Sequence, residues 1–336
     1  MLERPLRVGV TGHHAFARGA ALQIDSTDGM ELTWRCPDDL EKLATLLKDE
    51  PIDVLVEAFS DLALAIEASQ MAITHNAHII LTDPRVDAAA GLALQAQAYE
   101  RGIIITSDAG TPHGTLAKMI QEAHIMGFQI VQAGQISPLI PSPQLPYEMA
   151  ALANGFGFLP PAGGMTGPEI TEPADLLTAF DLTSYQDTPH VDFARSSSVT
   201  IPPSLYLIVK AKNKLTTEQI SHLRDCQLGD GPYYVLRHKP PLGYFETPKA
   251  ILGASAGQAI LSPGFPTCEV YAQSTAGMLE ASLLPYSDDL VPHFLLSEND
   301  TSGEDQITVE NTTLPDSPLT RLWIAQLEII DSQANA

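Results

Sequence analysis

Short apolar runs and longer segments of helical periodicity alternate along the first 134 residues of the chain. The apolar runs are continuous, which is typical of strands buried on both faces of a parallel sheet. The predicted strands are residues 7–10, 32–34, 54–58, 79–81, 103–106 and 129–133. The predicted helices are residues 15–24, 38–48, 62–75, 88–101 and 116–126. Six strands alternating with five helices predict an α/β fold with a doubly wound parallel sheet, which binds ligands beyond the carboxyl ends of its strands.

A proline-rich segment separates this pattern from the next one. Residues 137–146 carry four prolines, a density that ends regular structure. Beyond it, the pattern predicts helices over residues 147–154 and 216–226 and strands over residues 205–211 and 233–237. We therefore expect a first domain over residues 1–136 and a mixed α/β second domain over residues 137–262.

The C-terminal region contains two segments that differ in composition from the rest of the chain. Residues 298–318 are acidic and polar, which predicts a disordered linker. Residues 319–332 carry apolar positions at helical spacing, which predicts an amphipathic terminal helix with one apolar stripe. We expect this helix to pack on its own chain or on a dimer partner rather than to recruit a separate target.

Charge and cysteine usage narrow the class of protein. The chain has 18 Lys and Arg against 41 Asp and Glu, a formal net charge of -23, which disfavours nucleic acid and anionic membrane surfaces as partners. Its three cysteines are far apart and fit neither a disulfide framework nor a zinc site. No metal motif, signal peptide or membrane span is recognised. These features predict a cytoplasmic protein with a small-molecule ligand.

The loop after the first strand resembles a dinucleotide-binding fingerprint with one replacement. The three glycine positions of a Rossmann-type loop are occupied by Gly12, His14 and Ala17. A histidine at the middle position adds a side chain where the backbone approaches phosphate. Its ring could still donate to phosphate, and the helix from Ala15 offers free N–H groups. The alternative is a loop that only turns from strand to helix.

The ends of the predicted strands complete a candidate cofactor site. Arg35 closes the second strand, where it could pair with a ribose phosphate and favour NADP, or simply lie exposed at a strand end. Phe59, after the third strand, could crowd a nicotinamide ring. Both NADP and NAD stay open. The predicted cofactor-binding residues are Gly9, Gly12, His13, His14, Ala15, Phe16, Arg35, Ala58, Phe59, Thr82 and Asp83.

Several stretches between residues 6 and 259 resemble motifs of one protein family, and they occur in the same order as in that family. They are residues 8–12, 18–24, 54–58, 148–154, 164–168, 229–234 and 246–248. Together they are similar to the homoserine-dehydrogenase-like NAD(P) oxidoreductases, which often carry a C-terminal SAF domain and include deoxyxylulose phosphate reductoisomerase-like members. The resemblance implies that residues 137–262 bind substrate and form a homo-oligomer. It also implies that residues 263–297 are a shortened remnant of the SAF-like region.

Several polar positions depart from the pattern of that family. Gln135 stands in place of a lysine, and Thr166 and Pro241 stand in place of histidines. Beyond the fifth strand, the Gly-Asp-Gln-Pro of that family becomes Gly110-Thr-Pro-His113. The residues that shape the backbone persist while titratable groups are replaced. This pattern indicates a preserved fold whose chemistry is lost or altered.

Hydride chemistry needs a group that exchanges a proton with the substrate oxygen. Gln135 cannot titrate, so the candidate catalytic residues are Glu148, Asp192 and Asp108, of which the first two match positions of the resembled family. His113 is interpreted as a surface or capping residue because no partner spacing supports another role. The predicted substrate pocket consists of Gln135, Glu148, Thr166, Asp192 and Tyr234.

The sequence is compatible with two functions. The resemblance implies an NAD(P)-dependent oxidoreductase, homoserine-dehydrogenase-like, acting on a small polar carbonyl or hydroxy compound with or without a phosphate group. The replaced titratable residues suggest instead a catalytically silent homologue that serves as a ligand-binding regulator or partner subunit.

Overall fold

A computed structural model describes residues 4–185, 187–198, 201–222, 228, 231–275, 278–286, 306–309, 312–315 and 318–334 of the chain. The chain divides into two compact units. Unit 1 comprises Met1–Gly114, Leu242–Phe265 and Asp288–Ala336. Unit 2 comprises Thr115–Pro241 and Pro266–Ser287.

Unit 1 contains a sheet of five parallel strands. These are β1 (Leu6–Thr11), β2 (Met30–Cys36), β3 (Val54–Glu57), β4 (His78–Leu81) and β5 (Ile105–Ser107), in the order β2-β1-β3-β4-β5. The helices between them are α1 (Ala15–Asp25), α2 (Leu40–Asp49), α3 (Leu62–Thr74) and α4 (Pro84–Glu100). Every residue of β3 is buried, as expected for a strand covered on both faces. The predicted Rossmann-type α/β fold is confirmed.

Aspartates begin three of these helices. Asp39, Asp61 and Asp83 each accept a hydrogen bond from a backbone N–H in the first turn of α2, α3 and α4, respectively. Such caps satisfy N–H groups that have no partner within the helix. The capping side chains thereby fix where each helix leaves the carboxyl edge of the sheet.

Residues between the two chain segments of unit 2 complete the sheet of unit 1. The backbone N–H groups of Ile260 and Leu261 donate to Thr106 Oγ1 at 2.8 and 3.1 Å. The N–H of Ser107 donates to the Leu261 carbonyl at 2.9 Å. A 3₁₀ turn (Gly243–Glu246) leads into α9 (Thr247–Ser255), whose buried alanines and Ile251 pack in the core beneath β1 and β3. Unit 1 is therefore built from distant parts of the sequence.

Unit 2 contains a mixed sheet in the order β7-β6-β8-β9. Its strands are β6 (Phe128–Ser137), β7 (His190–Arg195), β8 (Ser204–Ala211) and β9 (Tyr233–His238). Only the β6–β7 pair is parallel. The helices are α5 (Pro112–Ile125), α6 (Leu145–Phe156), α7 (Leu176–Ala179) and α8 (Lys214–Ser221). Strands β10 (Cys268–Thr275) and β11 (Met278–Pro285) form an antiparallel hairpin within the predicted 263–297 segment.

The sixth predicted strand exists, but its placement in the first sheet was wrong. Strand β6 pairs with β7 and β8 of unit 2, so the parallel sheet has five strands. The predicted bounds of residues 1–136 and 137–262 accordingly differ from those of the two units. Apolar runs reveal that a strand forms, whereas its partners are set by residues much later in the chain.

The C-terminal part is more ordered than its composition predicted. Strands β12 (Gln306–Val309) and β13 (Thr312–Pro315) pair antiparallel inside the predicted linker 298–318, so disorder was wrong for these residues. The remainder of that linker lies outside the described residues. Helix α10 (Pro318–Ala334) contacts α4 and α3, and its Leu322, Ile324 and Leu327 pack against the core of unit 1. Within the described residues, no helix is both long and apolar enough to cross a membrane.

Candidate functional site

The β1–α1 loop lies at the point where the sheet reverses its winding. Strand β1 lies between β2 and β3, and this order opens a crevice at the carboxyl ends of β1 and β3. Gly12 has a φ of +85°, and a Cβ there would overlap the Ala58 carbonyl that follows β3. Only glycine permits this close approach. Gly12 therefore has the position and the conformation expected of the first fingerprint glycine.

His14 crosses the mouth of this crevice. Its Nε2–H donates to the Ala58 carbonyl at 2.7 Å. His14 is also the N-cap residue of α1, yet its side chain accepts no hydrogen bond from that helix. The N–H groups at the start of α1, including those of Ala15 and Phe16, thus have no side-chain cap. The imidazole ring stands where a glycine would leave room for pyrophosphate.

His13 ties the same loop to the end of β2. Its Nδ1 lies 3.1 Å from Asp38 Oδ2, and the other oxygen of Asp38 is buried without a partner among the described residues. Arg35 is the residue that the sequence predicts at the ribose position. Strand β2 extends to Cys36, however, so the first acidic side chain beyond the strand is Asp38. Arg35 is exposed on β2 and forms no ion pair in the part of the chain that the structure describes.

Other predicted cofactor residues have packing roles. Gly9 lies against the Trp34 ring, where any Cβ would collide with it. Phe59 is buried in the hydrophobic core of unit 1, so the prediction that its ring crowds the crevice was wrong. The half-buried Phe16 ring meets the Tyr244 ring edge-on, with centroids 6.2 Å apart. Ala15 is exposed at the start of α1.

The residues after β4 serve mainly the start of α4. Asp83 accepts from the backbone N–H of Arg85 and forms an ion pair with its guanidinium at 2.6 Å. The Thr82 N–H donates to the Glu57 carbonyl at 3.3 Å, which continues the β3–β4 pairing. Asp83 is thus held by a cap and an ion pair.

Glu57 is a buried acid at the end of β3 that the sequence analysis did not select. Its Oε1 accepts from the Phe59 N–H at 2.7 Å. Burial raises the pKa of Glu57 to about 8, and the nearby carboxylates of Asp83 and Asp38 add to the rise. The side chain is therefore mainly protonated at neutral pH. An acidic residue closing an otherwise apolar strand was the available signal.

Asp108 and His113 form a buried polar cluster after β5. Asp108 is 0% exposed and accepts from Thr247 Oγ1 at 3.0 Å. Burial raises the pKa of Asp108 to about 7 and lowers the pKa of His113 to about 3, so this histidine is neutral. His113 is buried, and its interpretation as a surface residue was wrong. The structure places Asp108 where it holds α9 and reaches no solvent.

Asp192 and Thr166 are brought together as predicted. Asp192 is 0% exposed and accepts from the Thr166 N–H at 2.9 Å and from Thr166 Oγ1 at 2.7 Å. The N–H groups of Gly167 and Phe193 also donate to it, at 3.2 and 2.8 Å. Burial raises the pKa of Asp192, and these hydrogen bonds counter the rise. The carboxylate anchors the 166–167 loop to the edge strand β7.

Gln135 and Glu148 form a second pair in unit 2. Gln135 Nε2 donates to Glu148 Oε2 at 2.5 Å. Both side chains are half-buried, so solvent reaches this pair. Burial raises the pKa of Glu148, and the hydrogen bond from Gln135 lowers it in part. The amide gives Glu148 an orientation without adding a charge.

The five predicted pocket residues do not share one pocket. On β6, Gly134 is paired with Asp192 of β7, so neighbouring Gln135 points to the opposite face of the sheet. Tyr234 is buried against Phe128. Its partner on β8 is Val209, which lies four residues along that strand from Leu205, the partner of Gln135. The predicted pocket resolves into the Gln135–Glu148 pair, the Asp192–Thr166 pair and an isolated core tyrosine.

A groove elsewhere in unit 2 holds none of these side chains. Its volume is about 580 Å³, and it runs between α5, the 172–177 segment and β9. Its lining includes Met119, Glu122, Leu177 and Arg237. Among the described residues, no group of three or more His, Cys, Asp or Glu side chains could hold a metal ion.

Part of the chain matches a known protein family. Residues 139–242 match the family model described as Oxidoreductase DRL, catalytic domain. The match covers less than a third of the chain and lies almost wholly in unit 2. It relates this unit to oxidoreductases. The description names neither homoserine dehydrogenase nor a SAF domain, so that finer assignment stays a prediction. No curated protein sequence matches significantly.

Solved structures of similar architecture include a probable dehydrogenase, a reductase and a protein with bound NAD. A probable dehydrogenase from Thermotoga maritima is 12% identical, with a TM-score of 0.47 over 76% of this chain and 90% of that one. Dihydrodipicolinate reductase from Paenisporosarcina sp. TG-14 is also 12% identical, with a TM-score of 0.42 over 74% and 93% of the two chains. GenD2 from gentamicin A biosynthesis, in complex with NAD, is 13% identical, with a TM-score of 0.40 over 70% and 73%.

Proposed function

We propose that the chain is an NAD-dependent oxidoreductase that acts on a small polar carbonyl or hydroxy compound. The observation that carries the proposal is the oxidoreductase catalytic-domain match over residues 139–242. The Rossmann-type sheet of unit 1, with Gly12 against the end of β3, supports it from an independent part of the chain. A dinucleotide supplies the hydride acceptor or donor that such a reaction requires.

The crevice between β1 and β3 suits a dinucleotide once the His14 ring leaves the Ala58 carbonyl. Gly12 allows the backbone to approach a ligand closely, and the uncapped N–H groups at the start of α1 would face the pyrophosphate. Moving His14 breaks one hydrogen bond to a carbonyl, which costs on the order of 1 kcal/mol. We therefore expect cofactor binding that is weakened by His14.

Asp38 favours NAD over NADP. A carboxylate beyond β2 can accept hydrogen bonds from the ribose hydroxyls of NAD, whereas the 2′-phosphate of NADP would meet its negative charge. Asp38 is held by His13 at 3.1 Å. The alternative from the sequence, in which Arg35 pairs with a 2′-phosphate, predicts the opposite preference.

Titration of the purified full-length protein with NADH and NADPH, followed by nucleotide fluorescence, tests both points. We expect NADH to bind more tightly than NADPH, and Asp38→Asn to reduce that preference. His14→Ala should tighten NADH binding, while His124→Ala, which changes an exposed histidine of α5, should not. No binding of either nucleotide at millimolar concentration would refute the proposed oxidoreductase. Tighter binding of NADPH would refute the role of Asp38.

A second candidate is a catalytically silent homologue that regulates or partners an active protein. The hydrogen bond from His14 to the Ala58 carbonyl favours it, because this contact closes the crevice. This candidate predicts that NADH binds His14→Ala but not the natural chain. Light scattering on the same preparations measures the homo-oligomer that the family resemblance implies, and a monomeric mass would contradict it.

A further inference from the structure

The three candidate carboxyl groups differ in their access to solvent. Asp108 and Asp192 are both 0% exposed; Asp108 accepts a hydrogen bond from Thr247 Oγ1, and Asp192 accepts one from Thr166 Oγ1. Glu148 is half-buried and accepts one hydrogen bond, from Gln135. A group that exchanges a proton with a substrate must come within hydrogen-bond reach of it. Of these three, only Glu148 can do so without rearrangement of the core.

Gln135 holds Glu148 from a rigid position. It lies on β6, where it is paired with Phe193 on one side and with Leu205 on the other. Glu148 lies in the first turn of α6. The 2.5 Å bond fixes Oε2, whereas no described residue donates to Oε1. One carboxyl oxygen is therefore oriented and the other is available to a ligand.

We infer that Glu148 exchanges the proton with the substrate oxygen and that Gln135 is its positioning residue; this rests on the proposed oxidoreductase function. When bound, NAD⁺ would supply the hydride acceptor: in the oxidation direction, the substrate C–H bond would break as its hydride passes to that acceptor. The substrate O–H bond breaks, its proton passes to Glu148 Oε1, and the carbon–oxygen bond becomes a carbonyl. In the reverse direction, protonated Glu148 gives that proton to the carbonyl oxygen.

The surroundings of Glu148 suit both directions. Burial raises the pKa of Glu148 above the ordinary value for a glutamate, which brings protonated and ionised forms closer in population near neutral pH. The hydrogen bond from Gln135 opposes this rise in the pKa, and no charged side chain of a described residue is among its causes. Changing Gln135 should therefore move the titration of Glu148 in a predictable direction.

A first experiment needs neither substrate nor cofactor. Carbodiimide with glycine ethyl ester labels protonated, accessible carboxyl groups, and mass spectrometry reads the labelling of Glu148 against pH. Gln135→Met removes the donor and should shift the labelling midpoint to higher pH. Gln135→Lys adds a neighbouring cation and should shift it to lower pH. The assignment is overturned if Glu148 is not labelled, because its carboxyl group is then inaccessible, or if neither variant moves the midpoint, because Gln135 then does not hold that carboxyl group.

A second experiment measures turnover with named probes, L-homoserine and glycerol with NAD⁺ and glyceraldehyde and glycolaldehyde with NADH. Glu148→Gln should lower kcat by about 10²–10⁴-fold without changing NADH affinity. Glu100→Gln, which changes an exposed glutamate at the end of α4, should keep full turnover. Retained turnover in Glu148→Gln would overturn the inference. If the natural chain fails to bind NADH, the proposed function fails. If it binds NADH but turns over none of the probes, the role of Glu148 in exchanging a proton with such compounds is overturned.

Discussion

Asp87 offers a direct test of how burial controls the ionisation of this protein. It lies in α4, is 4% exposed, and its Oδ1 lies beside Gly91, about one turn further along the helix. Burial raises the pKa of Asp87 from 3.8 to about 7, and no charge or hydrogen bond of a described residue contributes. Replacement by asparagine keeps the shape and removes the titration.

The sign of the effect follows from the two pKa values. Between 3.8 and about 7, the folded protein keeps the proton of Asp87 whereas the unfolded chain loses it. The unfolding free energy therefore falls as the pH rises through this window, by about 1.4 kcal/mol per pH unit. The full loss is on the order of 4 kcal/mol for this one group. Asp87→Asn should not show this loss of unfolding free energy, because asparagine does not titrate.

Urea denaturation of both proteins at pH 5, 6, 7 and 8 measures the difference. The stability of Asp87→Asn relative to the natural chain should increase by about 2–3 kcal/mol between pH 5 and 7 and then level off. Other buried groups, such as Glu57 and His113, titrate equally in both proteins and cancel. The exposed Asp28, changed to asparagine, is the matched surface control. A difference between the two proteins that stays constant with pH would refute the reasoning.

Three further predictions concern packing and reactivity. Gly134→Ala places a Cβ against the Asp192 carbonyl oxygen and should cost at least about 1–3 kcal/mol, so an unchanged urea midpoint would contradict it. Cys36, whose pKa burial raises to about 11, and Cys268, also buried, should resist Ellman's reagent at pH 8 until urea is added, and labelling of either in the folded protein would count against this. Leu327→Ala should destabilise the protein by about 2 kcal/mol because Leu327 packs on the core of unit 1, and an unaffected denaturation curve would mean that α10 is not seated there.

Most strands of unit 1 could be predicted because nearly every residue of β1, β3, β4 and β5 is buried. Continuous apolar runs identified β1 to β5 and also β6. The partners of β6 could not be predicted in the same way, since β7 and β8 begin more than 50 residues after β6 does. Pairing over such distances depends on tertiary packing, which local periodicity does not record.

The parts of the candidate site that depend on backbone conformation could be predicted from the sequence. The parts that depend on the direction of a side chain could not. Gly12 was found because a strand-to-helix turn with a close approach needs glycine. Phe59 was misassigned because its ring turns into the core, and Asp38 was missed because β2 extends to Cys36. A shift of one position in a strand reverses the face that a side chain meets. Such shifts lie within the error of any strand boundary read from sequence.

The discontinuity of unit 1 has a consequence for how the protein is made. Translation delivers β1 to β5 early, but the partner of Thr106 at residues 260–261 and helix α9 leave the ribosome only after the whole of β6 to β9. At synthesis rates of about 5–20 residues per second, the edge of β5 stays uncovered for on the order of ten seconds. An uncovered strand edge invites pairing with other chains. Chaperone dependence and heterologous yield of this protein should therefore respond to codon choices between residues 115 and 260.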